Sequence, residues 1–283
     1  MSLLKKLTEK NIKYDELSEK VILAALHKYD NIPQLLRTPI GPDAYIHSSS
    51  LENFCARRAA ILDMNNSVPR EYVQGSMKIV WKIGRAVEEH IRDALINSLG
   101  RQNFHGKWSC KCGHTTHVGI WADKECPVCK TKPNQYTELT IYNEEYKVAN
   151  NPDLVSVSKN KHHMITEIKS MNGPDFDKLQ EPLTSHVRQA NRYVRFKRMN
   201  GDITSGKVSI IYARKDFLYN GVYKVFVVDV DTKALETVFN EELDQSKKLR
   251  EYFKTKELPE REFCASAMSP MAKKCPACND CFK

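Results

Sequence analysis

The apolar positions of this chain fall into two periods, and the switch between them predicts an ordered series of helices and strands. Residues 1–45 read as a charged helical segment, with Leu17, Val21, Ile22 and Leu23 set among lysines before a break at Pro39, Gly41 and Pro42. Ser49, followed three residues later by Glu52, forms a capping-box pattern that starts a helix bearing Cys55, Arg57 and Arg58. A second helix is expected from about Met77 to Leu99, where Ile79, Ile83, Val87, Ile91 and Leu95 recur every four residues as a buried stripe and Gly100 ends it. Alternation then takes over, predicting strands around 137–148, 153–158 and 163–169. A helix follows from Thr184 to Met199, closed by Gly201, then strands near 207–213 and 222–229 and a charged helix over 233–256. The order is that of an α/β protein, a mixed central sheet flanked by helices, with no internal repeat.

Composition narrows this picture. Hydrophobic residues make up 41% of 283, enough for a real core, and no apolar run approaches membrane-spanning length. The amino-terminal residues lack the apolar stretch of a secretory signal, so a soluble, cytoplasmic protein is expected. Lys and Arg total 44 against 35 acidic residues, a net charge of +9 that favours a polyanionic partner such as nucleic acid. Nine cysteines are many for a reducing compartment, where clustered thiolates more often hold metals than form disulfides.

The chemistry concentrates in NPDLVSVSKNKHHMITEIKS. A hairpin centred on Asn160, within the polar turn Lys159–Lys161, sets Asp153 opposite Glu167. Because side chains alternate along a strand, Glu167 and Lys169 share one face while Met164, Thr166 and Ile168 take the other. Paired carboxylates bind hard divalent ions such as Mg2+ or Mn2+, the backbone carbonyl of Ile168 is a further ligand candidate, and Lys169 can orient or activate water. By itself so short a pattern also fits an ordinary solvated strand face.

Two cysteine stations stand apart from that site. Cys110-x-Cys112, thirteen residues, then Cys126-x2-Cys129 has the spacing of a four-thiolate zinc ribbon, inserted over 105–135. Its first knuckle is one residue short, which leaves His105, His114 or His117 as alternative ligands. Trp108 and Trp121 flank it, for packing or for stacking on bases. Cys264, Cys275, Cys278 and Cys281 crowd a tail over 257–283, and Cys55 stands alone upstream.

Gly84 with Glu88, Pro152 with Asp153, Glu167-Ile168-Lys169, and Gln189 with Tyr193 together resemble the ordered motifs of RecB-like PD-(D/E)XK exonucleases. The resemblance implies a PD-(D/E)XK nuclease core over 46–283 and makes Glu88 a further metal ligand, with His90 a weaker rival. It also implies that Gln189 and Tyr193, one turn apart, position DNA or the metal site. Arg188, Arg192 and Arg195 repeat at helical spacing beside them as a basic stripe for phosphate contacts. The tail with Cys55 resembles the iron-sulfur clasp of AddB-type and CRISPR-associated RecB-like nucleases. That likeness implies a [4Fe-4S] cluster on Cys55, Cys264, Cys275 and Cys281, with Cys278 the alternative to Cys264 and a second zinc the competing reading. The implied activity is metal-dependent exonuclease action on single-stranded or end-containing DNA, with replication, recombination or repair proteins as partners, in a phage or mobile element. Rival readings are a site-specific or structure-specific endonuclease and a non-catalytic nucleic-acid-binding scaffold. Nothing in the residues excludes RNA.

Overall fold

The computed structural model describes residues 41–65, 75–114, 116–216 and 222–283, so nearly all of the expected amino-terminal helical segment lies outside the described residues. In chain order the elements begin with β1 (Ile46–His47), α1 (Ala56–Met64) and α2 (Gly75–Leu99). Next come β2 (His105–Ser109), β3 (Thr116–Ile120), β4 (Gln135–Thr137), β5 (Ile141–Asn143) and β6 (Val148–Asn150). The hairpin β7 (Leu154–Val157) and β8 (His163–Met171) follows, then α3 (Gly173–Lys178), α4 (Thr184–Met199), β9 (Thr204–Arg214) and β10 (Tyr223–Asp229). The chain closes with α5 (Lys233–Thr255) and two single turns, α6 (Pro270–Lys273) and α7 (Cys278–Cys281).

A four-stranded mixed sheet, ordered β10-β9-β8-β7, lies at the centre. β7 and β8 pair antiparallel, with Leu154 opposite Thr166, whereas β8 and β9 run parallel. Parallel neighbours need a crossover, and α3 with α4 supplies it. The two-residue alternation decides which helix each strand position meets. Ile165, Val208 and Ile210 pack on Tyr193 and Val194 of α4, while Ile168, Ile211 and Ala213 pack on Val87 and Ile91 of α2. Gly84 lets α2 come close to the sheet, since a Cβ there would stand 3.2 Å from the Ser170 hydroxyl.

Three sequence expectations change. Ile79 and Ile83 are 53% and 41% exposed, so the buried stripe of α2 starts at Val87. Gly84 already meets Ser170, next to the end of β8 at Met171, so the turns of α2 that precede it run past the end of that strand. The Ser49–Glu52 pattern caps no α-helix: Ser48–Asn53 form a 3-10 turn, Phe54 is extended, and α1 starts afterwards with Cys55 as its N-cap. The strand expected over 137–148 is broken into β4, β5 and β6, the last two joined by a turn in which Lys147 takes a φ of 50°.

Two smaller sheets flank the central one. β1-β6-β5 covers a core shared by α1, α4 and α5 through Leu51, Phe196, Phe239 and Tyr252. β3-β2-β4 carries the first cysteine group and is tied to the centre by Trp108 and Phe104, which pack with Ile96 and Leu154. Trp108 is fully buried and its indole donates to the Gly119 carbonyl at 3.2 Å, so it serves packing. No described helix is long and apolar enough to cross a membrane.

Candidate active site

Asp153 lies one residue before β7, where continuation of the hairpin register places it opposite Glu167. Its Oδ2 accepts a hydrogen bond from the Ile168 amide at 2.6 Å, which pins the carboxylate against β8. Glu167 is 0% exposed and forms an ion pair with Lys169, whose side chain is 27% exposed at the mouth of the site. Neither Glu167 oxygen accepts a well-aligned hydrogen bond. A fully buried carboxylate whose compensation comes mainly from one ammonium is a costly arrangement, and a cation would relieve it.

Helix α2 adds Glu88, and the segment between β4 and β5 adds Glu138. One oxygen from each of Glu88, Glu138 and Asp153 lies within 4.8 Å of the others, close enough to share an ion. Arg92 holds the two glutamates, at 3.0 Å from Glu88 and 2.7 Å from Glu138. Burial, then the Asp153 charge and the hydrogen bond with Glu138, push the Glu88 carboxyl up to about 8. Burial and the neighbouring Glu167 raise Asp153, and burial raises Glu167. Burial lowers Lys169, but the Glu167 and Asp153 carboxylates outweigh it and hold the ammonium above its ordinary range. Carboxyls raised by burial and by one another's charge are a donor set that fits a hard divalent cation.

On the α4 side, Gln189 donates to the Tyr193 hydroxyl at 2.6 Å. Burial, then the nearby Glu167 charge, raise the Tyr193 hydroxyl well above its usual range, so the phenol stays neutral beside the carboxylate. His186 bonds the Tyr212 hydroxyl at 2.8 Å, and burial with the Lys169 charge lowers its ring to about 4. Sequence reasoning missed both His186 and Glu138. Glu138 sits in no recognisable spacing, and its only signal is an acidic side chain between β4 and β5. His90 is exposed and stands outside the carboxylate group.

The basic stripe on α4 needs correction. Arg192 is 1% exposed and ion-paired with Glu242 of α5 at 2.6 Å. Arg195 donates to Asn191 at 2.9 Å and lies over the Phe239 ring, while Arg188 keeps 36% exposure and approaches Glu52 at 3.7 Å. The helical spacing does place Arg192 and Arg195 on one side, but that side packs against α5 instead of solvent.

The first cysteine group closes tightly. Cys110 and Cys112 sulfurs are 3.5 Å apart, Cys112 and Cys126 3.8 Å, and all four with Cys129 fall within 4.8 Å. Zinc–thiolate bonds of about 2.3 Å set tetrahedral edges of about 3.8 Å, so the spacing fits one thiophilic ion. Two left-handed residues shape the knuckles: Gly113 (φ 73°) donates to the Cys110 carbonyl, and Lys130 (φ 53°) to that of Cys126. The three nearby histidines lie elsewhere, His105 against His163, His117 on the Ile120 carbonyl and His114 in solvent.

The second group gathers from both ends of the described chain. Cys55, Cys264, Cys275, Cys278 and Cys281 line one small cavity, rimmed by Arg57, Arg58 and Arg261. Beside it Ile61 and Leu62 of α1 pack on Ala277. The Cys55 sulfur caps α1 by accepting the Arg58 amide at 3.4 Å, and burial raises its thiol. Among the described residues no three of these five sulfurs lie within 4.8 Å of one another, wider than a single ion requires.

No family profile and no curated protein matches the chain. It is similar to the solved structure of an alkaline exonuclease, LHK-Exo, from Laribacter hongkongensis, at 13% identity and a TM-score of 0.41, covering 75% of this chain and 92% of that one. LHK-Exo in complex with dAMP gives 14% and 0.39, covering 74% and 95%, and SSO0001 gives 14% and 0.35, covering 90% and 96%. Likenesses this remote assign no family, and what the site can do is carried by its own side chains.

Proposed function

We propose that this chain is a divalent-metal-dependent deoxyribonuclease of the PD-(D/E)XK type, an exonuclease acting on single-stranded or end-containing DNA. The observation that carries the reading is the convergence of Asp153, Glu167, Glu88 and Glu138 beside Lys169. A scaffold that only binds nucleic acid gains nothing from crowded carboxylates that repel both one another and phosphate. Asp153, Glu88 and Glu138, with Glu167 and the Ile168 carbonyl, are the groups that would hold the cation. A Mg2+ or Mn2+ ion there would polarise a phosphoryl oxygen and make bound water acidic near neutral pH. Lys169, at the open side of Glu167, orients the attacking water and stabilises negative charge growing on the phosphorane oxygens. Gln189 and Tyr193, hydrogen-bonded to each other on α4, position the DNA or the metal site.

The thiol groups are read as two structural centres. Cys110, Cys112, Cys126 and Cys129 hold zinc. The wider group holds a polynuclear [4Fe-4S] cluster through Cys55, Cys275, Cys281 and either Cys264 or Cys278, and the resemblance of the tail to RecB-like iron-sulfur clasps supports this beside the sulfur spacing.

The test incubates end-labelled single- and double-stranded linear DNA, closed circular DNA and an RNA of the same sequence with Mg2+ or Mn2+. Glu167→Ala and Lys169→Ala are compared with the parent. Degradation of linear DNA, lost by a factor of about 10² or more in both variants, is expected. Variants as fast as the parent overturn the reading, cutting of closed circles makes the enzyme an endonuclease, and preference for RNA moves the substrate class. Metal analysis and the visible spectrum of anaerobically purified protein decide between zinc and iron-sulfur at each cysteine group.

A further inference from the structure

We infer that the groove between the C-terminal half of α2 and β4 is a nucleobase subsite of the same active site. It would take the base beside the scissile phosphodiester and favour bases that carry an exocyclic amine; this rests on the nuclease reading above. The groove is open and encloses about 660 Å³. Arg92 and Glu138 belong both to its wall and to the carboxylate cluster, so a strand whose phosphate sits at the carboxylates has this groove as adjoining space.

At the far end stands Arg101, which also lines the groove. Its guanidinium donates to the Asn97 side chain at 3.1 Å, and among the described residues it forms no ion pair with a carboxylate. A guanidinium held by an amide and left without a counter-ion is a receptor for a second phosphate. Between Glu88 and Asn97 helix α2 rises roughly 13 Å, about two phosphate-to-phosphate steps of an extended strand, so the groove has room for the nucleosides between the two anion positions.

The middle of the groove has a different character. Asp93 and Asn97, four apart, share one face of α2, and Gln135 of β4 lines the opposite wall. This stretch is acidic and amide-rich, wrong for a phosphate and right for a base edge. Asp93 can accept from the exocyclic amine of cytosine or adenine, and the amides of Asn97 and Gln135 can donate to ring nitrogens or carbonyls. Thymine offers no amine. Because β4 belongs to the cysteine-bearing sheet, that sheet forms one wall of the subsite.

The experiment measures binding of labelled oligo-dA, oligo-dC and oligo-dT in Ca2+ by anisotropy and their cleavage in Mn2+. The parent is compared with Arg101→Ala and with Asp93→Ala/Gln135→Ala, and thermal melts check folding and the Mn2+-induced rise in Tm. The parent should bind and cut dA and dC about tenfold better than dT. The double variant should lose that preference, and Arg101→Ala should weaken all three by about tenfold, with the Mn2+ response retained throughout. A parent that cuts DNA without base preference, or variants that bind and discriminate like the parent, overturns the subsite and leaves the nuclease reading standing. A parent that neither binds nor cuts any oligonucleotide overturns both.

Discussion

Glu138 makes the carboxylate cluster more crowded than a pair of strand residues alone would be, and crowding has a measurable cost. With no cation, burial and then the neighbouring Asp153 and Glu138 raise Glu88 to about 8. The sign follows from proton linkage. A folded-state carboxyl raised above its unfolded value near 4.5 prefers its proton in the fold, so its contribution to stability is best at low pH and falls as pH rises from 4.5 to about 8. A divalent ion cancels that loss. The rise in Tm caused by Mn2+ should therefore be larger at pH 8.5 than at pH 5.5, an expectation of roughly that window from linkage. Glu138→Gln should raise the metal-free Tm while weakening Mn2+ binding by about tenfold, read by melting and by titration. A variant that binds Mn2+ like the parent would remove Glu138 from the cation site.

Among the elements, the cysteine-bearing sheet is joined to the central one partly through a tilted pair of rings, His105 of β2 against His163 of β8, with centroids 5.0 Å apart. Burial lowers His105 to about 4, helped by Lys197 and His163 and opposed by Asp202; burial and Lys197 also lower His163, again against Asp202. In the fold these rings resist protonation, whereas unfolded they accept it near 6.5, so stability is full above about pH 6.5 and is lost as pH falls towards 4. His105→Phe should lose less stability than the parent between pH 7 and pH 4.5, measured by urea midpoints. Equal losses would show that the pair does not govern the acid limb.

The span of α4 is legible because Gly201 closes it, and the pairing of Asp153 with Glu167 follows from a hairpin symmetric about Asn160. Periodicity reports which positions share a face but not what that face meets. Hence Arg192 and Arg195 read as a phosphate stripe although their side of the helix packs on α5, and Ile79 and Ile83 read as core although α2 outruns the sheet. Glu138 was illegible because its place depends on how the chain returns from the cysteine-bearing insertion, a long-range event with no local signature.

For the whole molecule, the second cysteine group joins α1 to α6 and α7 and covers Ile61 and Leu62. Cys281→Ser or Cys55→Ser should lower the Tm by several degrees and remove visible absorbance, while leaving zinc content unchanged. Of Cys264→Ser and Cys278→Ser, one should match that loss and the other should not, which identifies the fourth ligand. Retained colour in both Cys55→Ser and Cys281→Ser would dismiss the clasp.

The position of these thiols also sets a timetable for biosynthesis. Cys55 leaves the ribosome early and Cys275–Cys281 far later, so the contact that covers the exposed side of α1 cannot form until nearly all of the described chain has been translated. Until then Ile61 and Leu62 remain open to chaperones and proteases, and a prematurely terminated product ending before Cys275 should be degraded quickly in the cell even though every active-site carboxylate is already present.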